Sequence, residues 1–220
     1  MANTNVSGLV AAVALPRPAL VPQWMAQLHV PAVGIGLVSA NRTARIKVYG
    51  ELSKGIPAPQ NTVWGSRELG DAVGLLLNEN SEERSTLHLV NLFTKLAMPD
   101  TAFGDPIGVL SRMARPHNKR DGIYVFKPHD TEKHLFTTVG DFCKLLTYIN
   151  KSEIVTTDWP TDWKQLADQE RIIHRAAGNG ASHTILLLPQ QKQALVIFTN
   201  SDGGDKVEEH ILNAMGIDIL

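Results

Sequence analysis

The run from Arg171 to Gly204, RIIHRAAGNGASHTILLLPQQKQALVIFTNSDGG, limits what this chain can fold into more than any other stretch. Arg171 to Ala176 opens it as a strand. Gly178, Asn179 and Gly180 then supply the backbone freedom of a tight turn. His183 to Leu188 is short, apolar and β-propensive, as a strand buried on both faces must be. Pro189 to Lys192 is a polar turn, Ala194 to Thr199 a second buried run, and Asn200 to Gly204 a closing turn. Asp205 to Met215 changes period: Val207, Ile211, Leu212 and Met215 fall on one helical face, which predicts a C-terminal helix packed back on the sheet.

The N-terminal part supplies matching pieces. Gln23 to His29 is a short amphipathic helix starting near Leu20 and stopped by Val30-Pro31. Ala32 to Ser39 is a buried strand, and Ala44 to Tyr49 is its hairpin partner. Gly34 and Gly36 lie on one face of the first strand, where a helix can press close. Gly50 to Asn61 reads as a loop, and Thr62 to Trp64 as a short strand. Ser66 to Leu77, Thr86 to Leu96 and Thr138 to Asn150 carry helical spacing; Thr138 is placed as an N-cap with Asp141 in the first turn. The order predicts an α/β (α+β) sandwich. Its sheet has five antiparallel strands, with the N- and C-terminal helices packed on one face.

At 220 residues the expectation is a flexible leader over residues 1–19 and a single domain over 20–220. The net charge of -1 argues against a nucleic-acid binder, and the basic cluster Arg112, Arg115, Lys119 and Arg120 reads as a solvated loop. No run is long enough to span a bilayer. Leu9 to Leu15 is apolar but has no Lys or Arg before it, so the cytoplasm is favoured over export. The single cysteine, Cys143, sits in a helical pattern and reads as a packing residue. His117, His129 and His134 with Asp121 and Asp130 follow no metal-ligand spacing, so neither a metal nor another cofactor is expected.

Four segments, in order, resemble the serine β-lactamase-like family of class C β-lactamases, penicillin-binding proteins, esterases and D-aminopeptidases. They are VPAVGIGLVS with ARIKVYGELSKGIPAPQNTVW, LFTKLAMPDTAF, HLFTTVGDFCKLLTYIN, and IIHRAAGNGASHTILLLPQQKQALVIFTNSDGG. The resemblance implies a serine hydrolase site built on Ser-x-x-Lys, Tyr-x-Asn and His/Lys-Ser/Thr-Gly. This chain departs from all three. Counted without gaps, the Ser and Lys positions fall on Glu68 and Asp71, and a carboxylate cannot act as the cationic partner. Ser66 is adjacent, but the residue three along is Leu69. No Tyr-x-Asn occurs, and only Asn78 to Ser85 joins two helices where the family inserts a helical lobe. The sheet-edge motif becomes His174-Arg175-Ala176.

The resemblance therefore implies the fold with a degraded site: a pseudoenzyme, or a binding or assembly domain. The alternative is an active esterase, β-lactamase or D-aminopeptidase using Ser66 and His174. Each candidate also has a plainer reading. Ser66 serves as an N-cap, Glu68 and Asp71 as first-turn acids, His174 as a structural residue on a strand, and His183 as a capping or packing residue. Loss of the lobe would uncover apolar surface, which implies a homodimer or a partner protein.

Overall fold

The computed structural model describes residues 14–39, 42–77, 86–104, 107–117, 134–151, 163–166 and 171–219. The leader before residue 14, Lys119, Arg120, Asp121, His129, Asp130 and the linker 78–85 lie outside the described residues.

Helix α1 (Leu20–Leu28) ends where His29 turns left-handed at φ 54° and the chain enters Pro31. Strand β1 (Ala32–Ser39) follows and pairs antiparallel with β2 (Arg42–Ser53). On its other side β1 pairs with β10 (Gln193–Thr199), which pairs with β9 (Ala181–Leu188), which pairs with β8 (Ile172–Gly178), all antiparallel. These are the five strands expected from the sequence. Asn179 and Gly180 form the two-residue turn between β8 and β9, with φ of 49° and 78°. Two positive φ angles suit the right-handed twist of the hairpin, and Asn-Gly tolerates both.

The main sheet is nevertheless larger than expected. Two-residue strands β3 (Ile56–Pro57) and β7 (Lys164–Gln165) extend its edges, giving seven strands in the order β3-β2-β1-β10-β9-β8-β7. Segments of two residues carry no periodicity, so pattern reading passes over them. Gly50 to Ser53 also belongs to β2 rather than to a loop. Gly50 at φ 87° lets the strand continue past Pro31, whose carbonyl would stand 1.9 Å from any Cβ there.

A second sheet holds β4 (Val63–Ser66), β5 (Ala102–Phe103) and β6 (Leu135–Thr138) in the order β4-β6-β5. Helix α2 (Arg67–Leu76) leaves β4 without a break. Helix α3 (Thr86–Lys95), a 3-10 turn at Ile107–Arg112 and helix α4 (Val139–Lys151) complete the middle, and α5 (Gly204–Ala214) closes the chain.

The helices sort onto two faces. Val21 and Met25 of α1 and Val207, Ile211 and Leu212 of α5 bury against Ile35, Leu37, Leu186 and Leu195. Both terminal helices thus share one face, as expected. On the opposite face α4 lies across β1 and β10, with Phe142 edge-on to Phe198 at 5.4 Å between ring centres. Thr138 caps α4: its Oγ1 accepts the Asp141 N–H at 3.1 Å. Asp141 in turn accepts the Asp100 N–H at 2.9 Å, tying the loop after α3 to the head of α4. Cys143 is buried in this helix, and burial pushes its thiol up to about 12, so it stays protonated and inert.

Candidate active site

The corner where β4 becomes α2 sets the geometry. Gly65 lies so close to Phe136 of β6 that a Cβ would meet its ring at 2.3 Å, which fixes the path of the chain into Ser66. Ser66 Oγ accepts the Leu69 N–H at 3.0 Å. That is an N-cap bond, satisfying one of the donors a helix start leaves unpaired. Leu69, three residues on, is buried in the apolar core. The position one helical turn from the serine therefore holds neither base nor cation.

Ser66 opens onto a recess of about 10 Å³ shared with Trp64, Leu69, His183 and Phe198. A volume of about 10–15 Å³ accommodates one water molecule. His183 Nε2 and His174 Nδ1 are 3.2 Å apart and their rings stack at 5.2 Å; the Trp163 ring packs against His174 at 5.2 Å, tilted by 44°. His174 does not line the Ser66 recess; it contacts His183, which does. Burial, reinforced by the His174 charge, lowers the His183 imidazole to about 3. It is neutral at physiological pH and a poor proton acceptor, because a general base works best with a pKa near the operating pH.

The two acids of α2 part company. Asp71 faces solvent and pairs with Arg67 at 3.8 Å. Glu68 turns inward toward the end of β8, where its Oε1 stands 3.4 Å from the place a Cβ on Gly178 would occupy. The pair is not assembled into one carboxylate site. Alternation along β8 separates the remaining motif residues. His174 and Ala176 share the α2 side, whereas Arg175 points to the other face and donates from Nη2 to the Asp205 carbonyl at 2.9 Å. Ala176 pairs in register with His183. Among the described residues no group of three or more His, Cys, Asp or Glu side chains could hold a metal ion.

Two features of this region escape sequence reading. His183 is legible there only as a capping or packing residue, yet it links Ser66's recess to His174. Beneath the same strands, on the α5 face, Glu208 is fully buried and accepts from Ser182 Oγ at 2.6 Å and Thr184 Oγ1 at 2.7 Å. The helical pattern of α5 hides it, because a single acid on an apolar stripe leaves no periodic trace.

No family model matches this chain, and no curated protein sequence matches it. Solved structures do. A mutant form of a class C β-lactamase superposes with a TM-score of 0.65 at 12% identity, covering 89% of this chain and 95% of that one. A β-lactamase from Sulfitobacter sp. EE-36 gives 0.63 at 11% identity, covering 90% and 94%. A D-alanine carboxypeptidase from Burkholderia cenocepacia gives 0.59 at 13% identity, covering 88% and 96%. With helices on both faces of an antiparallel sheet and a strand-to-helix corner at Ser66, this chain has the serine β-lactamase-like fold.

Proposed function

We propose that the chain is a non-catalytic β-lactamase-like protein: a pseudoenzyme that serves as a binding or assembly domain. The observation that carries this reading is the state of Ser66. Its hydroxyl caps α2, its neighbour one turn on is Leu69, and the recess before it is about 10 Å³. Small-molecule sites usually offer about 300–1,000 Å³. The assembly part draws support from large apolar side chains left at the surface, Val90 on α3 and Leu110 in the 3-10 turn, at 41% and 46% exposure.

A second reading keeps the hydrolase. It is favoured by one contact chain, in which Ser66 and His183 share a recess and His183 touches His174. The names of the structural neighbours, β-lactamase and D-alanine carboxypeptidase, make β-lactams and D-alanyl amides the substrates to try. The experiment compares wild type with Ser66→Ala on nitrocefin and on p-nitrophenyl acetate. The expected result is equal turnover, at the rate without protein. The substitution should also lower unfolding stability by about 1 kcal/mol, the usual value of an N-cap. Turnover that is present in wild type and lost in Ser66→Ala would overturn the non-catalytic reading.

A further inference from the structure

A cleft of about 590 Å³ lies between α1 and the bend where β2 passes Pro31. It shares no residue with the Ser66 recess, so its capacity to bind does not depend on whether that serine is reactive. Its size falls within the ~300–1,000 Å³ of typical small-molecule sites. Met25 and Val30, both buried, form the base, and Pro22, Pro31 and the half-buried Tyr49 ring form flat apolar walls. Burial raises the Tyr49 hydroxyl above its ordinary value, so it stays neutral.

The wall also carries one oriented polar group. His117 lines the cleft and is 5% exposed. Its backbone is fixed on both sides: the N–H donates to the Asn200 carbonyl at 2.9 Å, and the carbonyl accepts from the Asp202 N–H at 3.0 Å. Its ring Nδ1 faces the Arg115 carbonyl oxygen, an acceptor, at 2.5 Å; the Asn200 Nδ2 donor is farther, at 3.4 Å, and is itself bonded to that carbonyl at 3.0 Å, which assigns the proton to Nδ1. Nε2 is then an acceptor, and among the described residues no donor reaches it. Nε2 is not sealed from solvent, so a ligand donor can take the place of water there. At the mouth, Glu51 and Lys54 carry opposite charges, and Glu51 is engaged by the Gly55 N–H at 2.8 Å. The rim therefore favours neither anions nor cations.

We propose that this cleft binds a small neutral ring compound that lays its apolar face on Met25, Pro31 and Tyr49 and donates one O–H or N–H to His117 Nε2. Met25, Val30, Pro22 and Pro31 make the lining mainly apolar, and burying a charged molecule against them would cost more than the polar groups of the rim return.

Indole and 1-methylindole test this on the full chain, by following backbone amide shifts in two-dimensional NMR. The two probes differ by the N–H donor. Indole should shift the amides of Gly50 and Glu51 and bind about fivefold more tightly than 1-methylindole, the ratio one neutral hydrogen bond supplies. Ala26→Trp, at an exposed position on the cleft wall, should abolish the shifts for both probes. His117→Phe should bring the ratio to about one while leaving binding of 1-methylindole. Should His117→Phe fail to fold, the wild-type ratio and Ala26→Trp still decide the matter. No shift at Gly50 and Glu51 at millimolar indole, equal affinity of the two probes for wild type, or shifts that persist in Ala26→Trp would each overturn the proposal.

Discussion

Gly36→Val should destabilise this protein by an amount at or beyond the upper end of the ~1–3 kcal/mol that overpacked cores usually cost. Any Cβ on Gly36 would lie 2.5 Å from Cys143 Sγ, 2.7 Å from Val139 Cγ1 and 3.0 Å from Val196 Cγ1. Gly34 is as crowded, at 2.7 Å from Val139 Cγ2 and 2.9 Å from Trp64. The neighbours have little room to retreat. Val139 is the first residue of α4, directly after Thr138 of β6, and its β-branched side chain has restricted rotamers. Val196 lies in the middle of a strand buried throughout. A valine at Gly36 would therefore push α4 off the sheet and open the contact of Phe142 with Phe198. Urea denaturation measures the loss. Adding Cys143→Ala should recover part of it, because Sγ is the nearest atom. An unchanged midpoint for Gly36→Val would mean that α4 does not lie on β1.

The second large effect is electrostatic. Burial raises the Glu208 carboxyl to about 7, against the opposing pull of the Ser182 and Thr184 hydrogen bonds and of Arg175, with Asp205 adding to the rise. The folded state therefore holds a proton that the unfolded chain, at the ordinary value of 4.5, releases earlier. The folded pKa is the higher one. The associated stability is fully present below the unfolded value and is lost as pH rises through about 7. At about 1.4 kcal/mol per unit, the change across that window is about 3 kcal/mol. Urea denaturation of wild type and Glu208→Gln at pH 4.5, 6 and 8 isolates it. The wild type should lose about 3 kcal/mol relative to the variant between the extremes. Parallel profiles would mean that Glu208 is charged and solvated rather than buried beside Ser182 and Thr184.

The central strands are readable because each is a short apolar run buried on both faces and closed by turn residues. His183 to Leu188 and Ala194 to Thr199 read as such runs, and they lie in β9 and β10. Helix α4 is readable through its Thr138 cap and apolar stripe. Strand β6 is not. Leu135 to Thr138 gains its identity from Val63 to Ser66 and Ala102 to Phe103, and non-local pairing leaves no mark in a four-residue segment. The same divide runs through the candidate site. Ser66 as an N-cap is a local fact, visible in Gly65-Ser66 before a helical run. The facing of His174 and His183 depends on the register of β8 against β9, and the separation of Glu68 from Asp71 on how α2 sits over Gly178. The α1–β2 cleft draws on three separate parts of the chain, around Met25 to Pro31, Tyr49 to Lys54 and His117, and no single stretch announces it.

Intact-mass spectrometry after incubation with a fluorophosphonate and, separately, with a penicillin tests the non-catalytic reading most directly. A fluorophosphonate traps an activated serine whatever the natural substrate, and a penicillin acylates one that lies in a β-lactam-recognising site. The account predicts unmodified mass from folded protein with each reagent, because Ser66 caps a helix one turn from Leu69 and shares its recess with His183, a poor proton acceptor. A stoichiometric adduct that maps to Ser66 would contradict it and restore a serine hydrolase.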